Sequence, residues 1–144
     1  MLQRGKKASG FTLIEIMVVV VIMAILAAIV VPKIINRPDQ AKIVKAKQDI
    51  LAIENAMDLY KLDNGSYPTQ DQGIQALVTK PTTDPMPSNW QGYLKNVPMD
   101  PWGYPYNYLN PGKHGDIDLY TYGPTHQPGG TGMNATIGNW DVQK

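Results

Sequence analysis

The chain has 144 residues, with 13 basic and 12 acidic side chains and no cysteine. That length is one domain's worth, and a net charge of +1 gives no electrostatic case for a nucleic-acid partner. Without a disulfide to staple it, a small core must be held by packing, by neighbours or by a metal.

The N-terminus is a basic leader, Met1-Leu-Gln-Arg-Gly-Lys-Lys-Ala-Ser-Gly10, followed by an apolar run of 16 residues from Ile16 to Val31. Glu15 stands just before that run. An acidic residue in a spanning helix costs roughly 2.5–3.5 kcal/mol at the bilayer centre and less toward the ends, so it usually has a partner or a task. A secretory signal peptide places its small-residue cleavage site after the apolar region. Here Ala8-Ser9-Gly10 come before it, so cutting after Gly10 releases only the leader and leaves the apolar helix on the mature chain. Glu15 is then either solvated at the headgroup level or neutralised by a positive group at the same depth, which the new α-amino group on Phe11 of a neighbouring copy would supply. Arg4, Lys6 and Lys7 outweigh Lys33 and Arg37 and place the leader in the cytoplasm, with the rest of the chain beyond the membrane. The expected divisions are a removable leader at 1–10, a transmembrane helix at 11–31 and an extracytoplasmic domain at 32–144.

Apolar positions Ile43, Ala46, Ile50, Ile53, Met57 and Tyr60 recur at steps of three and four, one face of a helix. This helix is expected from near Asp39 to about Leu62, stopped by Asn64-Gly65. Pro32 and Pro38 lie between it and the apolar run, and Pro32 predicts a kink or a melted segment. Were Phe11 to Leu62 one helix, its 52 residues would span roughly 78 Å, a rod whose apolar half could be covered only by a membrane or by copies of itself. Basic residues from Lys33 to Lys47 are followed by Asp49, Glu54, Asp58 and Asp63, a charge division that is either a solvated face or a device for setting register between neighbours.

Thr69-Gln-Asp-Gln72 fits a capping box for a short helix through Leu77 and Val78, which Pro81 ends. Residues 80–101 read as a loop with a role in surface contact, closed by the turn Asp100-Pro-Trp-Gly103, whose tryptophan is expected to anchor it. Period-two patterns over Tyr104, Tyr106 and Tyr108, and over Ile117, Leu119 and Thr121 opposite Asp116, Asp118 and Tyr120, predict a small antiparallel sheet. The fold class is therefore α+β, a long N-terminal helix packed on that sheet. His114 and His126 have no companion at metal or triad spacing and read as surface residues. No nucleophile elbow, Walker loop or paired-histidine motif is present, so an enzyme, which here would be membrane-anchored and periplasmic, is not expected.

Gly10-Phe-Thr-Leu-Ile-Glu15-Ile-Met-Val-Val resembles the prepilin N-terminus shared by type IV pilins and type II secretion pseudopilins. The stretches Leu59-Tyr-Lys-Leu-Asp-Asn-Gly-Ser-Tyr-Pro68, Asp100-Pro-Trp-Gly103 and Ile137-Gly-Asn-Trp140 resemble the major pseudopilin, the G subunit, more narrowly. The resemblance implies a pilin-like fold and a structural role: a homopolymeric periplasmic pseudopilus whose growth exports folded proteins, the major type IV pilin being the alternative. It implies cleavage after Gly10 and methylation of Phe11 by a prepilin peptidase, an inner-membrane location, and minor pseudopilins and an inner-membrane assembly platform as partners. Glu15, Pro32, Glu54, Asp58 and Lys95 become assembly candidates, with Lys95 as the basic partner of the two acids. Because the resemblance is bacterial, the sequons at Asn64 and Asn134 are discounted.

The family also carries a calcium site in the last loop, with aspartates at two places where this chain has Thr125 and Ala135-Thr136. No acidic residue stands between Asp118 and Asp141. The carbonyls of Tyr122 and Gln127 and the hydroxyls of Thr125 and Thr136 still offer oxygens, but calcium wants six to eight, several of them from carboxylates. The sequence therefore disfavours a strong calcium site. It predicts a loop stabilised by a tight glycine-proline path or by hydrogen bonding around Thr125 and His126.

Overall fold

A computed structural model describes Gly5, residues 9–35 and residues 37–142; the side chains of residues 30–37 lie outside that description. The chain divides into two compact units, Met1–Pro38 and Asp39–Lys144.

The first unit is built on helix α1, Leu13–Ile35. Its start is a capping box. The Glu15 amide donates to the Thr12 hydroxyl at 3.3 Å, and the Glu15 carboxylate accepts from the Thr12 amide at 2.8 Å and from its hydroxyl at 3.1 Å. Two of the N–H groups that a helix start leaves without partners are thereby satisfied. The backbone is helical through Pro32 to Ile35, so the segment at Pro32 is not melted; Asn36 lies outside the described residues. Among the described residues no helix is long and apolar enough to cross a membrane.

The second unit is held by helix α2, Arg37–Asn64. Pro38 stands in its first turn, where a missing N–H costs nothing. At its end the Gly65 amide donates to Lys61 O at 2.7 Å with φ at +84°, the left-handed stop that favours glycine. The predicted face is the buried one. Ala46, Ile50, Ile53, Met57 and Tyr60 are in the core with Ala56, and Ile43 packs at its edge.

Against that face lies a three-stranded antiparallel sheet of order β1-β2-β3: β1 Asn107–Leu109, β2 Asp118–Thr121 and β3 Ile137–Gly138. Tyr108 pairs with Leu119, and Thr121 with Ile137. Helix α3, Asn139–Val142, follows. Leu119, Ile117, Tyr106 and Ile137 supply the sheet's share of the core.

Three expectations need correction. Thr69 and Gln72 do bond reciprocally, at 3.1 and 3.2 Å, but they close a turn; the short helix is a 3-10 turn, Ile74–Leu77, that begins only after Gly73. The loop over 80–101 is more than surface: Trp90 Nε1 donates to Ala76 O at 2.8 Å, and the amides of Tyr93 and Leu94 donate to Leu77 O at 2.8 and 3.0 Å. Asp118, expected on the polar face of its strand, is buried, because its carboxylate organises the bend before β2.

Candidate assembly and processing site

The N-terminal device gathers Gly10, Phe11 and Glu15 at the start of α1. A Cβ built on Gly10 would meet nothing within 4 Å, so the fold itself does not require glycine there. Phe11 is 85% exposed, and every large apolar side chain described from Leu13 to Ile29 is at least half exposed. Exposed apolar surface on this scale marks a membrane or partner contact. Pro32's side chain lies outside the described residues.

On α2 the acids Asp49, Glu54, Asp58 and Asp63 have partners within the chain. Asp49 pairs with Lys45 at 2.5 Å and accepts from the Tyr106 hydroxyl at 2.9 Å. Glu54 accepts from Asn139 Nδ2 at 3.1 Å, Asp58 from the Tyr67 hydroxyl at 2.8 Å, and Asp63 from the Tyr93 hydroxyl at 2.9 Å. Burial, then the neighbouring Asp58 carboxylate, pushes the Tyr67 hydroxyl up to about 12. Asp58 remains exposed, as does Lys95, and among the described residues Lys95 forms no ion pair. Apart from Lys45, these partners are tyrosines and an amide 9 to 85 residues away in sequence, which charge patterning along one helix cannot reveal.

At the end of the domain three residues do more than their sequence suggests. Asp100 is 4% exposed; its Oδ1 accepts the amides of Trp102 and Tyr104 at 3.0 and 2.8 Å, and its Oδ2 accepts the Thr121 hydroxyl at 2.6 Å. The turn is thus held by Asp100 as well as by Trp102, which packs against the core. Asp118 takes the amides of Lys113 and His114 and lies 2.9 Å from His114 Nδ1. Burial would raise its carboxyl, but the His114 ring and the two amides more than offset this and hold it below its ordinary value. Both histidines are at the surface and both are stacked, His114 on Trp140 with ring centroids 3.8 Å apart and His126 on Tyr104 at 3.3 Å. Asn139 ties α2 to the sheet, giving Nδ2 to Glu54 and to Ile117 O and accepting from the Leu119 amide.

The last loop does not fit a calcium ion. Thr125 Oγ1 donates to Gln127 O at 3.4 Å, so two of the candidate oxygens face each other. A Cβ on Gly123 would stand 3.3 Å from Ala135 O, and one on Gly130 would collide with Asn134 O, so the limbs of the loop meet backbone to backbone. Ala135 and Thr136 border a recess of 360 Å³ whose one carboxylate, Asp141, is accompanied by the cationic Lys47. Among the described residues no three His, Cys, Asp or Glu side chains converge as metal ligands do.

A long apolar helix opened by a capped acid, followed by an α+β domain with a three-stranded sheet, defines the pilin-like class of structural subunits. Two family models divide nearly all of this chain between them: the prokaryotic N-terminal methylation motif over residues 5–31, and type II secretion system, protein G, over residues 33–140. The chain belongs to the type II secretion system protein G family, the major pseudopilins. It is 59% identical over 138 residues to the type II secretion system core protein G of Pseudomonas aeruginosa, covering 94% of this chain and 97% of that one. Against the core protein G of Vibrio cholerae it is 54% identical over 144 residues, covering 99% and 98%. The crystal structure of the major pseudopilin of enterohaemorrhagic Escherichia coli superposes with a TM-score of 0.67 at 43% identity, over 74% of this chain and 89% of that one. Between the two structural alternatives, pilus and pseudopilus, the family match selects the pseudopilus.

Proposed function

We propose that this chain is made as a precursor, cut after Gly10 and methylated on Phe11 by a prepilin peptidase, and then polymerised into the periplasmic pseudopilus through α1. Residues 11–31 hold the subunit in the inner membrane, N-terminus toward the cytoplasm, and become the filament core; residues 32–144 form the periplasmic domain. The assembly platform adds subunits from the membrane, minor pseudopilins join the filament, and its growth drives folded cargo toward the outer membrane. The role is structural, and no step of it needs chemistry from this chain.

The observation that carries the reading is the start of α1, where a helix apolar from Ile16 to Val31 and exposed as far as Ile29 holds its one carboxylate four residues from Phe11. The Thr12 capping box fixes that carboxylate at the helix mouth, where the Phe11 ammonium of a neighbour can neutralise it in the bilayer. An unpaired charge there costs far more than a paired one, so docking is favoured in the register that matches the two. Glu54, Asp58 and Lys95 are proposed to set lateral contacts, with exposed Asp58 and Lys95 the more accessible pair. The openness around Gly10 supports a glycine kept for a peptidase rather than for the fold.

The test is Glu15→Ala in a secreting strain. The variant precursor should insert and be cleaved at the parental rate while pseudopilus growth and export of folded cargo stop. Normal secretion would remove Glu15 from the mechanism. Failure of cleavage would place its role before assembly instead.

A further inference from the structure

We propose that the loop over residues 122–136 is a calcium-independent clasp, closed by the His126 ring on Tyr104 in place of a cation. The two rings lie with centroids 3.3 Å apart and planes 29° apart. His126 is the one non-glycine residue with positive φ among the described residues, at φ 55° and ψ 21°. That left-handed conformation is costly for a residue with a Cβ, and it persists where surrounding contacts over-determine it. Here the contacts come from both sides. The His126 amide donates to Gly123 O at 3.3 Å, the Gly123 amide donates to Thr121 Oγ1 at 3.1 Å, and the Thr121 hydroxyl donates to Asp100. Asp100 in turn holds the Tyr104 amide, so the chain of bonds starting at His126 returns to the residue on which its ring is stacked.

A calcium loop would need carboxylates between its limbs, and this one closes without them. Between Asp118 and Asp141 the chain has no acidic residue, and the limbs meet through Gly123 against Ala135 and Gly130 against Asn134. Thr125 and Gln127, two of the positions that would offer oxygens to an ion, are spent on each other.

The experiment is thermal unfolding of the detergent-solubilised full chain, read by tryptophan fluorescence, in excess EGTA and in millimolar calcium chloride. All three tryptophans, Trp90, Trp102 and Trp140, lie in the second unit, so the signal reports that unit. The wild-type Tm should be the same in both buffers. His126→Ala should lower it by about 2–6 °C, the worth of one aromatic pair in a domain this size, with no recovery in calcium. Amide hydrogen exchange over residues 123–136 should quicken in that variant while α2 is unchanged. His126→Phe, which keeps a ring, should restore most of the loss, and Tyr104→Ala combined with His126→Ala should cost little more than either alone. A rise of many degrees in the wild-type Tm on adding calcium would overturn the proposal, as would an unchanged Tm for His126→Ala or additive losses in the double variant.

Discussion

Asp100→Ala probes the junction on which the end of the domain depends. The carboxylate is 4% exposed and accepts three bonds, two from turn amides and one from a hydroxyl on β2 that is itself 1% exposed. A bond to a charged group contributes about 1.5–3 kcal/mol, and a buried donor left without its acceptor costs about 1–3 kcal/mol. Trp102 is partly exposed and Tyr104 is 49% exposed, so water can reach the freed turn amides, whereas the Thr121 hydroxyl is left in the core. The loss should therefore fall short of three full bonds, at about 3–5 kcal/mol. At roughly 4 °C per kcal/mol for a domain of this size, the Tm should drop by about 12–20 °C. Asp100→Asn keeps Oδ1 for both amides and sets a donor against the Thr121 hydroxyl, so about 1–2 kcal/mol is expected from that one lost bond. Tryptophan-fluorescence melts of the two variants beside the parent, in chelator, decide the matter. A drop of less than about 4 °C for Asp100→Ala, below 1 kcal/mol on the same scale, would refute the reasoning, because it would mean the three donors find other partners at no cost.

Two further outcomes follow from neighbouring residues. Asp118 is held below its ordinary value near 3.8 in the folded chain; a depressed carboxyl gives stability that is present above the unfolded value and lost as pH falls through the folded one. Stability should therefore decline below about pH 4, and Asp118→Asn should flatten that acid limb as well as lower the plateau, as acid titration of the tryptophan signal will show. A Cβ on Gly138 would collide with the Trp140 ring, which is already stacked on His114; Gly138→Ala should displace the indole and cost about 1–3 kcal/mol, seen as a Tm loss together with an altered Trp140 emission.

The helix and its face were legible because a step of three and four is a property of the chain alone: Ala46, Ile50, Ile53, Met57 and Tyr60 point one way whatever they pack against. The strand faces were read less well. Alternation places Asp118 outward unless something inside needs a carboxylate, and what needs it, the pair of amides at Lys113 and His114, exists only once the bend is folded. β3 has two residues, too few for any periodicity to register. At the N-terminus the signal was present but incomplete. Thr12-x-x-Glu15 is a capping-box pattern, and in the structure the carboxylate that the resemblance gives to assembly also serves the helix start. For the last loop, the sequence could say that acids are missing; it could not say that a histidine ring stacked on Tyr104 stands there.

Asn139 joins α2 to the sheet across 85 residues of chain, and β3 immediately precedes it. Residues 137–139 thus both complete the sheet and fasten it to the helix. Without them β2 would lack a neighbour on one edge and the Leu119 amide its acceptor. Removing the Asn139 side chain would therefore loosen the sheet and its tie to the helix together.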